Sequence, residues 1–436
     1  MRHATFSTPD LTVFCRLDEL GLEVVGQRIE SDRAWLECRI VEPDDFCHRC
    51  GVQATVRDTV TRALAHAPFG HRPTTLLVRV RRYRCEHCRR VWRQDMTRAA
   101  EPRSKLSRGG LAWALAGLVI LHLTVARVAE GLGVGWHTAN TAVLDEGRRM
   151  LIGDPARLDG VAVIGVDEHA WRHTRFGDRY VTVVIDLTPV RDGTGPARLL
   201  DMVEGRSKPV FRAWLDAQTA AFRAGVEVVA MDGFTGFKTA AAEALPDAVE
   251  VMDPFHVVQL AGDALDRCRQ RVQQQTLGHR GHAGDPLYGV RRALHTGQAF
   301  LTDRQRARIH GVFAIDEHVE VEATWAVYQR IVTAYRDPDR AAGRRELQAV
   351  IDSLRSGVPE PLTELRRLGR TLHRRANDVL AYFHLPGTSN GPTEAINGRL
   401  EHLRGSALGF RNLSNYITRS LLESGGFRPL LHSRLR

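Results

Sequence analysis

The chain is 436 residues long, with a formal net charge of +10, 43% hydrophobic residues and 26% charged residues, which predicts two to four soluble domains with real cores. The positive surplus favours a polyanionic partner, and arginine carries nearly all of it, lysine occurring only at Lys105, Lys208 and Lys238. Seven cysteines, CxxC spacing and an N-terminus without the apolar core of a secretory signal argue against a disulfide-stapled secreted protein and for a reducing cytosol with a metal site.

Residues 1–100 read as a zinc-ribbon, DNA-binding domain. Cys47-His48-Arg49-Cys50 and Cys85-Glu86-His87-Cys88 are two CxxC knuckles, and two knuckles supply the four thiolates that a structural Zn²⁺ takes. A thioredoxin-like redox site is the rival reading, but it needs one CxxC, not two. Between the knuckles, TTLLVRVRRYRC alternates apolar and basic residues as a strand does. The separation is long for a ribbon and predicts an extra hairpin. Arg79, Arg81 and Arg82 on that strand are candidate phosphate contacts. Cys15 and Cys38 are expected to be buried thiols.

Residues 101–155 read as a helix-turn-helix. LAWALAGLVILHL gives one apolar helix, Thr124 caps VARVAEGL, Gly133 makes the turn, and GWHTANTAVLDEG gives a third helix. Trp136, His137, Thr138 and Asn140 at the start of that helix are candidate base-edge readers. The uncharged stretch from Gly109 to Ala126 just reaches spanning length, but His122 and the Thr124 cap interrupt it, so no membrane span is expected.

From residue 156 to 260 the pattern is that of strands and helices: VAVIGVD, RYVTVVIDL after a Gly177-Asp178 turn, ARLLDMVEG, a helix closed by Gly225, VEVVAMD, a second helix, and AVEVMD running into DPFHVV. Three antiparallel strands followed by alternating helix and strand are the order of an RNase H-like fold, whose first and fourth strands are neighbours. Residues 261–384 lack strand signals and read as an all-helical insertion, after which 385–436 complete the core. The whole is predicted as a multidomain α/β chain: zinc ribbon, helix-turn-helix, and an RNase H-like catalytic core interrupted by a helical insertion.

Asp167 and Asp232 end their apolar runs, and Glu394 falls near the start of the helix begun by Pro392. Carboxyl ends of strands are where such sheets carry chemistry, and three carboxylates are hard oxygen ligands for a pair of Mg²⁺ ions. Asp253 is the alternative to Asp232. Glu168 and His169 are candidates to support Asp167, and Arg404 and Arg411 to contact the DNA backbone.

These segments resemble the DDE transposases of bacterial insertion sequences, in the zinc-ribbon branch called the IS-L-three (ISL3) family. The resemblance is carried by CHRCG, YRCEHC, TVARVAEGLGVGWHTANTAV, GVDEHAWRH, VVAMDGFTGF, VMDPFHVV and SNGPTEAINGRLEHLRGSALGFRN, in the family's order and over nearly the whole chain. It implies catalytic acids at Asp167, Asp232 and Glu394, two Mg²⁺ ions (Mn²⁺ in their place) and a structural Zn²⁺. It also implies cleavage of transposon ends by water, then attack of the freed 3′-hydroxyl on target DNA. The implied partners are double-stranded terminal repeats and target DNA, bound by a homodimer or larger assembly in a bacterial cytoplasm, at the nucleoid. A DNA-binding regulator with a non-catalytic scaffold and a structure-specific nuclease are the competing readings.

Overall fold

The computed structural model describes residues 8–172 and 179–435, so the expected Gly177-Asp178 turn lies outside the described residues. The chain divides into two compact units, Met1–Arg157 with Leu403–Arg436, and Leu158–His402.

The first unit opens with a short helix α1 (Leu11–Phe14) and a five-stranded sheet: β1 (Leu22–Ile29), β2 (Ala34–Ile40), β3 (Thr55–Phe69), β4 (Arg72–Arg84) and β5 (Val91–Arg93), ordered β1-β2-β4-β3 with β5 against β4. The β3–β4 hairpin accounts for the long gap between the CxxC knuckles. Along β4, Leu76, Val78 and Val80 face inward onto Leu36, Cys38 and Leu64, while Arg79 and Arg81 are exposed, the two-residue period of a half-buried strand. Cys38 is buried as expected; Cys15 is only half-buried.

Three helices follow: α2 (Arg108–Val119), α3 (Val125–Leu132) and α4 (Trp136–Gly147). The apolar run at 111–123 does not stay helical to its end. Helix α2 stops at Val119 and His122 takes a left-handed φ of 52°, which frees Thr124 to cap α3 by accepting from the Arg127 N–H at 3.3 Å. Gly133 ends α3 at φ +65°, where a side chain would be strained and a Cβ would meet Pro73 at 2.9 Å. Leu115, Leu118, Val128, Leu132, Val143 and Leu144 form the core of these helices.

The second unit holds a five-stranded sheet, from β6 (Val163–Ala170), β7 (Tyr180–Asp186), α5 (Thr188–Arg191), β8 (Arg198–Glu204), α6 (Lys208–Asp216), α7 (Ala220–Gly225), β9 (Val228–Met231), α8 (Thr235–Ala244) and β10 (Val249–Met252). Its order is β10-β9-β6-β7-β8, with β6, β7 and β8 antiparallel and β9 and β10 parallel to β6. The first and fourth strands of this sheet are therefore neighbours, as anticipated. The helix expected to run unbroken to a Gly225 cap is two helices: Thr219 caps α7, and Gly225 is its last helical residue, followed by extended Val226.

From 261 to 384 the regular elements of the described structure are all helices: most of α9 (Pro254–Leu277), then α10 (Pro286–Leu294), α11 (Asp303–Phe313), α12 (Val319–Arg336), α13 (Arg340–Arg355), α14 (Thr363–Arg374) and α15 (Ala376–Ala381), with short 3₁₀ turns between some of them. They share a core of Leu265, Val272, Leu287, Val321, Ile331, Leu347, Ile351, Leu365 and Leu372. Position 261 itself lies inside α9, which starts directly after β10. Helix α16 (Gly391–Ser406) follows, then α17 (Leu413–Ser424) and α18 (Arg428–Leu435); Leu422 of α17, Phe427 between the two and Leu431 of α18 join the α2–α4 core. Among the described residues no helix is long and apolar enough to cross a membrane.

Candidate active site

The position of Asp167 follows from the central strand. Strand β6 runs through Asp167 rather than ending at it, because β7 continues to pair alongside, with Asp167 opposite Val183. On the other side β9 runs parallel with Val166 level with Met231, so Asp167 on β6 and Asp232, the first residue past the end of β9, each follow a paired residue. Asp232 starts an Asx-type turn, its Oδ1 accepting from the Phe234 N–H at 2.8 Å. His256 Nε2 stands 3.7 Å from the other Asp232 oxygen.

Helix α16 closes over this edge. Gly165 has no room for a side chain: a Cβ would lie 2.8 Å from Asn390 Oδ1, 2.9 Å from Ile185 and 2.9 Å from Thr393 Oγ1. The absence of that Cβ lets Asn390 reach the Val166 carbonyl at 3.4 Å and bond to Thr393. One turn beyond Glu394, Asn397 Nδ2 donates to Asp167 Oδ2 at 2.9 Å, and its Oδ1 is buried without a hydrogen-bond partner. Glu394, the fourth residue of α16, is exposed.

Asp167 accepts from two neutral donors among the described residues, the Asn397 amide and the Glu168 N–H at 2.7 Å. Burial pushes its carboxyl up to about 6, and the charge of Asp232 pushes the same way. Asp253 is differently employed. It is buried, caps α9 through the Phe255 N–H at 3.0 Å, and accepts from the Asn390 N–H at 2.7 Å and Ser389 Oγ at 3.2 Å. Its Oδ1 fastens the segment leading into α16. Glu168 is occupied by Arg206 at 3.0 Å, and His169 is buried.

Among the described residues, one group of three or more potential ligands has all its donor atoms within 4.8 Å of one another: Cys47, Cys50, Cys85 and Cys88. The three acids do not meet that limit. The Phe46–Gln53 bridge and the β4–β5 pairing form two turns that present these thiols, with Cys47 Sγ 3.4 Å from Cys88 Sγ and Cys50 Sγ 3.5 Å from Cys85 Sγ. The Cys88 N–H, donating at 3.4 Å, holds the Cys85 thiol below its ordinary range. Four convergent sulfurs fit a structural Zn²⁺.

The candidate DNA-contacting residues have different environments. Trp136 is 47% exposed and His137 is exposed, whereas Asn140 is 9% exposed and belongs to the inner face of α4, so it is withdrawn as a base reader. Thr138 is half-buried. Arg81 is exposed, Arg79 pairs with Glu37 at 3.2 Å, and Arg82 is held by both oxygens of Asp58 across the hairpin. Arg411 is exposed and Arg404 half-buried. Sequence reading missed Gly165, Asn390 and Asn397. For Asn397 a signal was present, three residues after Glu394 on the same helical face.

A family model described as transposase, of the ISL3 branch of DDE enzymes, matches residues 164–420, and one described as the zinc-finger of transposase IS204/IS1001/IS1096/IS1165 matches 44–88. The chain belongs to the ISL3 family of transposases. It is 28% identical over 331 residues to the transposase for insertion sequence element IS1557 of two Mycobacterium tuberculosis strains, CDC 1551 / Oshkosh and ATCC 25618 / H37Rv, covering 70% of each chain. It is also 29% identical over 233 residues to the transposase for insertion sequence element IS1001 of Bordetella parapertussis, covering 51% of this chain and 52% of that one.

Proposed function

We propose that this transposase binds the terminal inverted repeats of its insertion sequence and catalyses metal-dependent cleavage of the ends, followed by strand transfer to target DNA. The observation that supports the reading most is the register of β6 and β9, in which Val166 stands level with Met231, each one residue before a proposed ligand, Asp167 and Asp232. The strand order supports an RNase H-like core, and the α2–α4 helices support a helix-turn-helix. The domain layout 1–100, 101–155, 156–260, 261–384 and 385–436 is proposed on the same grounds.

Asp167, Asp232 and Glu394 would hold two Mg²⁺ ions, or Mn²⁺. Held there, such a pair would supply charge stabilisation to the attacking and leaving oxygens of a phosphoryl displacement. Ligands that straddle such a pair need not all lie within 4.8 Å of one another, so the wider spacing of the acids is compatible with this role. The donor set fits hard cations: carboxylate oxygens beside the unpartnered Oδ1 of Asn397. Asn397 orients Asp167 through its amide. Asp253 is left out of the ligand set because its Oδ1 fastens Asn390 and Ser389 and its Oδ2 caps α9.

Trp136, His137 and Thr138 would reach base edges in a major groove, with Arg79, Arg81, Arg404 and Arg411 on the phosphates. Joining two ends requires at least a homodimer on DNA, working in the bacterial cytoplasm at the nucleoid. The test is incubation of the protein with a labelled duplex carrying the element's own ends, in Mg²⁺ and in EDTA, beside the Asp167→Asn, Asp232→Asn and Glu394→Gln variants. Nicking at the ends in Mg²⁺ alone, lost in all three variants, is expected. Tight binding with no cleavage by the parent protein would return the chain to the class of DNA-binding regulators.

A further inference from the structure

One cluster of buried charge adjoins the proposed catalytic edge without belonging to it. Arg375, at the junction of α14 and α15, is 6% exposed, and its Nη1 donates to the Gly233 carbonyl at 3.2 Å. Its Nε donates to Asp378, which is 2% exposed and also receives the Lys238 ammonium at 2.6 Å and 2.8 Å. Lys238 lies in α8, six residues after Asp232. Asp378 is thus tied to α8 through Lys238 and to Gly233 through Arg375.

The peptide that Arg375 holds is the one that orients Asp232. The Gly233 carbonyl and the Phe234 N–H belong to a single planar peptide unit. Arg375 grips its oxygen end, and its N–H end donates to Asp232 Oδ1 at 2.8 Å. Fixing the plane from one side fixes the direction of the donor on the other, and a guanidinium gives a charge-assisted bond that a solvated glycine turn would lack. Gly233 is exposed, with no side chain of its own to pack. Arg375 Nη2 is buried without a partner, so the guanidinium is seated for this contact without full hydrogen-bond satisfaction.

We propose that Arg375 is a positioning residue for Asp232, through which the helical insertion sets the geometry of the metal-binding turn. The inference rests on Asp232 being a metal ligand. Partners that orient a ligand from behind change metal affinity by about 10–100-fold when removed, and that is the effect expected here.

Mn²⁺ binding to the DNA-free, zinc-loaded protein, followed by electron paramagnetic resonance of the free ion, tests this without relying on activity. Arg375→Ala should weaken binding about 10–100-fold and shift the Mg²⁺ dependence of end cleavage by the same factor, with excess Mg²⁺ restoring the rate. Arg375→Lys, which keeps the charge but loses the fork, should fall between the two. Affinity of the zinc-loaded protein for end DNA without added Mg²⁺ or Mn²⁺ should not change. If Arg375→Ala does not fold, Arg375→Lys carries the test. Folded variants with parental Mn²⁺ affinity and parental Mg²⁺ dependence would overturn the proposal. Asp232→Asn separates the two layers. If it loses Mn²⁺ while the Arg375 variants keep it, the positioning role alone falls. If it binds and cleaves as the parent does, the reading of Asp232 falls and the inference with it.

Discussion

At Asp167, burial, with the charge of Asp232 adding to it, raises the carboxyl to about 6 against the opposing pull of the Glu168 N–H. Because the folded value is raised, the unfolded chain releases this proton first. Stability is therefore lost as pH climbs from about 4 to about 6 and stays lowered above that. A carboxyl moved from 3.8 to about 6 costs about 3 kcal/mol at neutral pH. Asp167→Asn should remove that cost, so the metal-free variant should gain up to about 3 kcal/mol at pH 7 in urea unfolding, with the gain vanishing towards pH 4. A gain independent of pH would contradict this cause. Gly165→Ala is the complementary case. Its Cβ would push against Asn390, Ile185 and Thr393 at under 3 Å, so it should cost about 1–3 kcal/mol and lower end cleavage by displacing the start of α16. Unfolding and cleavage read on one preparation decide it, and unchanged cleavage would mean that α16 does not depend on this close approach.

At the scale of elements, the zinc knuckles and the β6–β9 pair were legible because their signals are local. CxxC spacing names its chemistry within four residues, and apolar runs such as VAVIGVD and VEVVAMD announce buried strands. The Thr124 cap and the Gly133 turn were legible for the same reason. What stayed hidden depends on contacts between distant segments: Asn397 on Asp167, Asn390 on Val166 and Asp253, and Arg375 on Gly233. No periodicity encodes these, since each joins side chains and backbone more than a hundred residues apart. The misplaced end of α2 has another cause: LAWALAGLVILHL stays apolar past the point where His122 turns the backbone. The knuckles carry their own prediction. Cys47→Ser or Cys85→Ser should lose zinc and weaken binding to end DNA at least about tenfold, because structural zinc contributes directly to folding. Metal content by atomic emission beside a gel-shift titration checks both, and a full zinc complement in either variant would remove that cysteine from the site.

For the whole molecule, the formal charge of +10 and the exposed arginines of β4 imply binding dominated by phosphate contact and counterion release. With about six such contacts, affinity for end DNA should fall roughly 10³-fold between 50 and 200 mM salt. Fluorescence anisotropy across that range measures it, and a flat response would deny the basic surface its role. The deciding contact is that between the carboxylate just past β9, Asp232, and a catalytic metal. End cleavage by Asp232→Cys, compared in Mg²⁺ and in Mn²⁺, is the most direct measurement, because a thiolate is a poor ligand for the harder ion and an acceptable one for the softer. A variant inert in Mg²⁺ that regains cleavage in Mn²⁺ is expected. Parental cleavage by that variant in Mg²⁺ would contradict that contact.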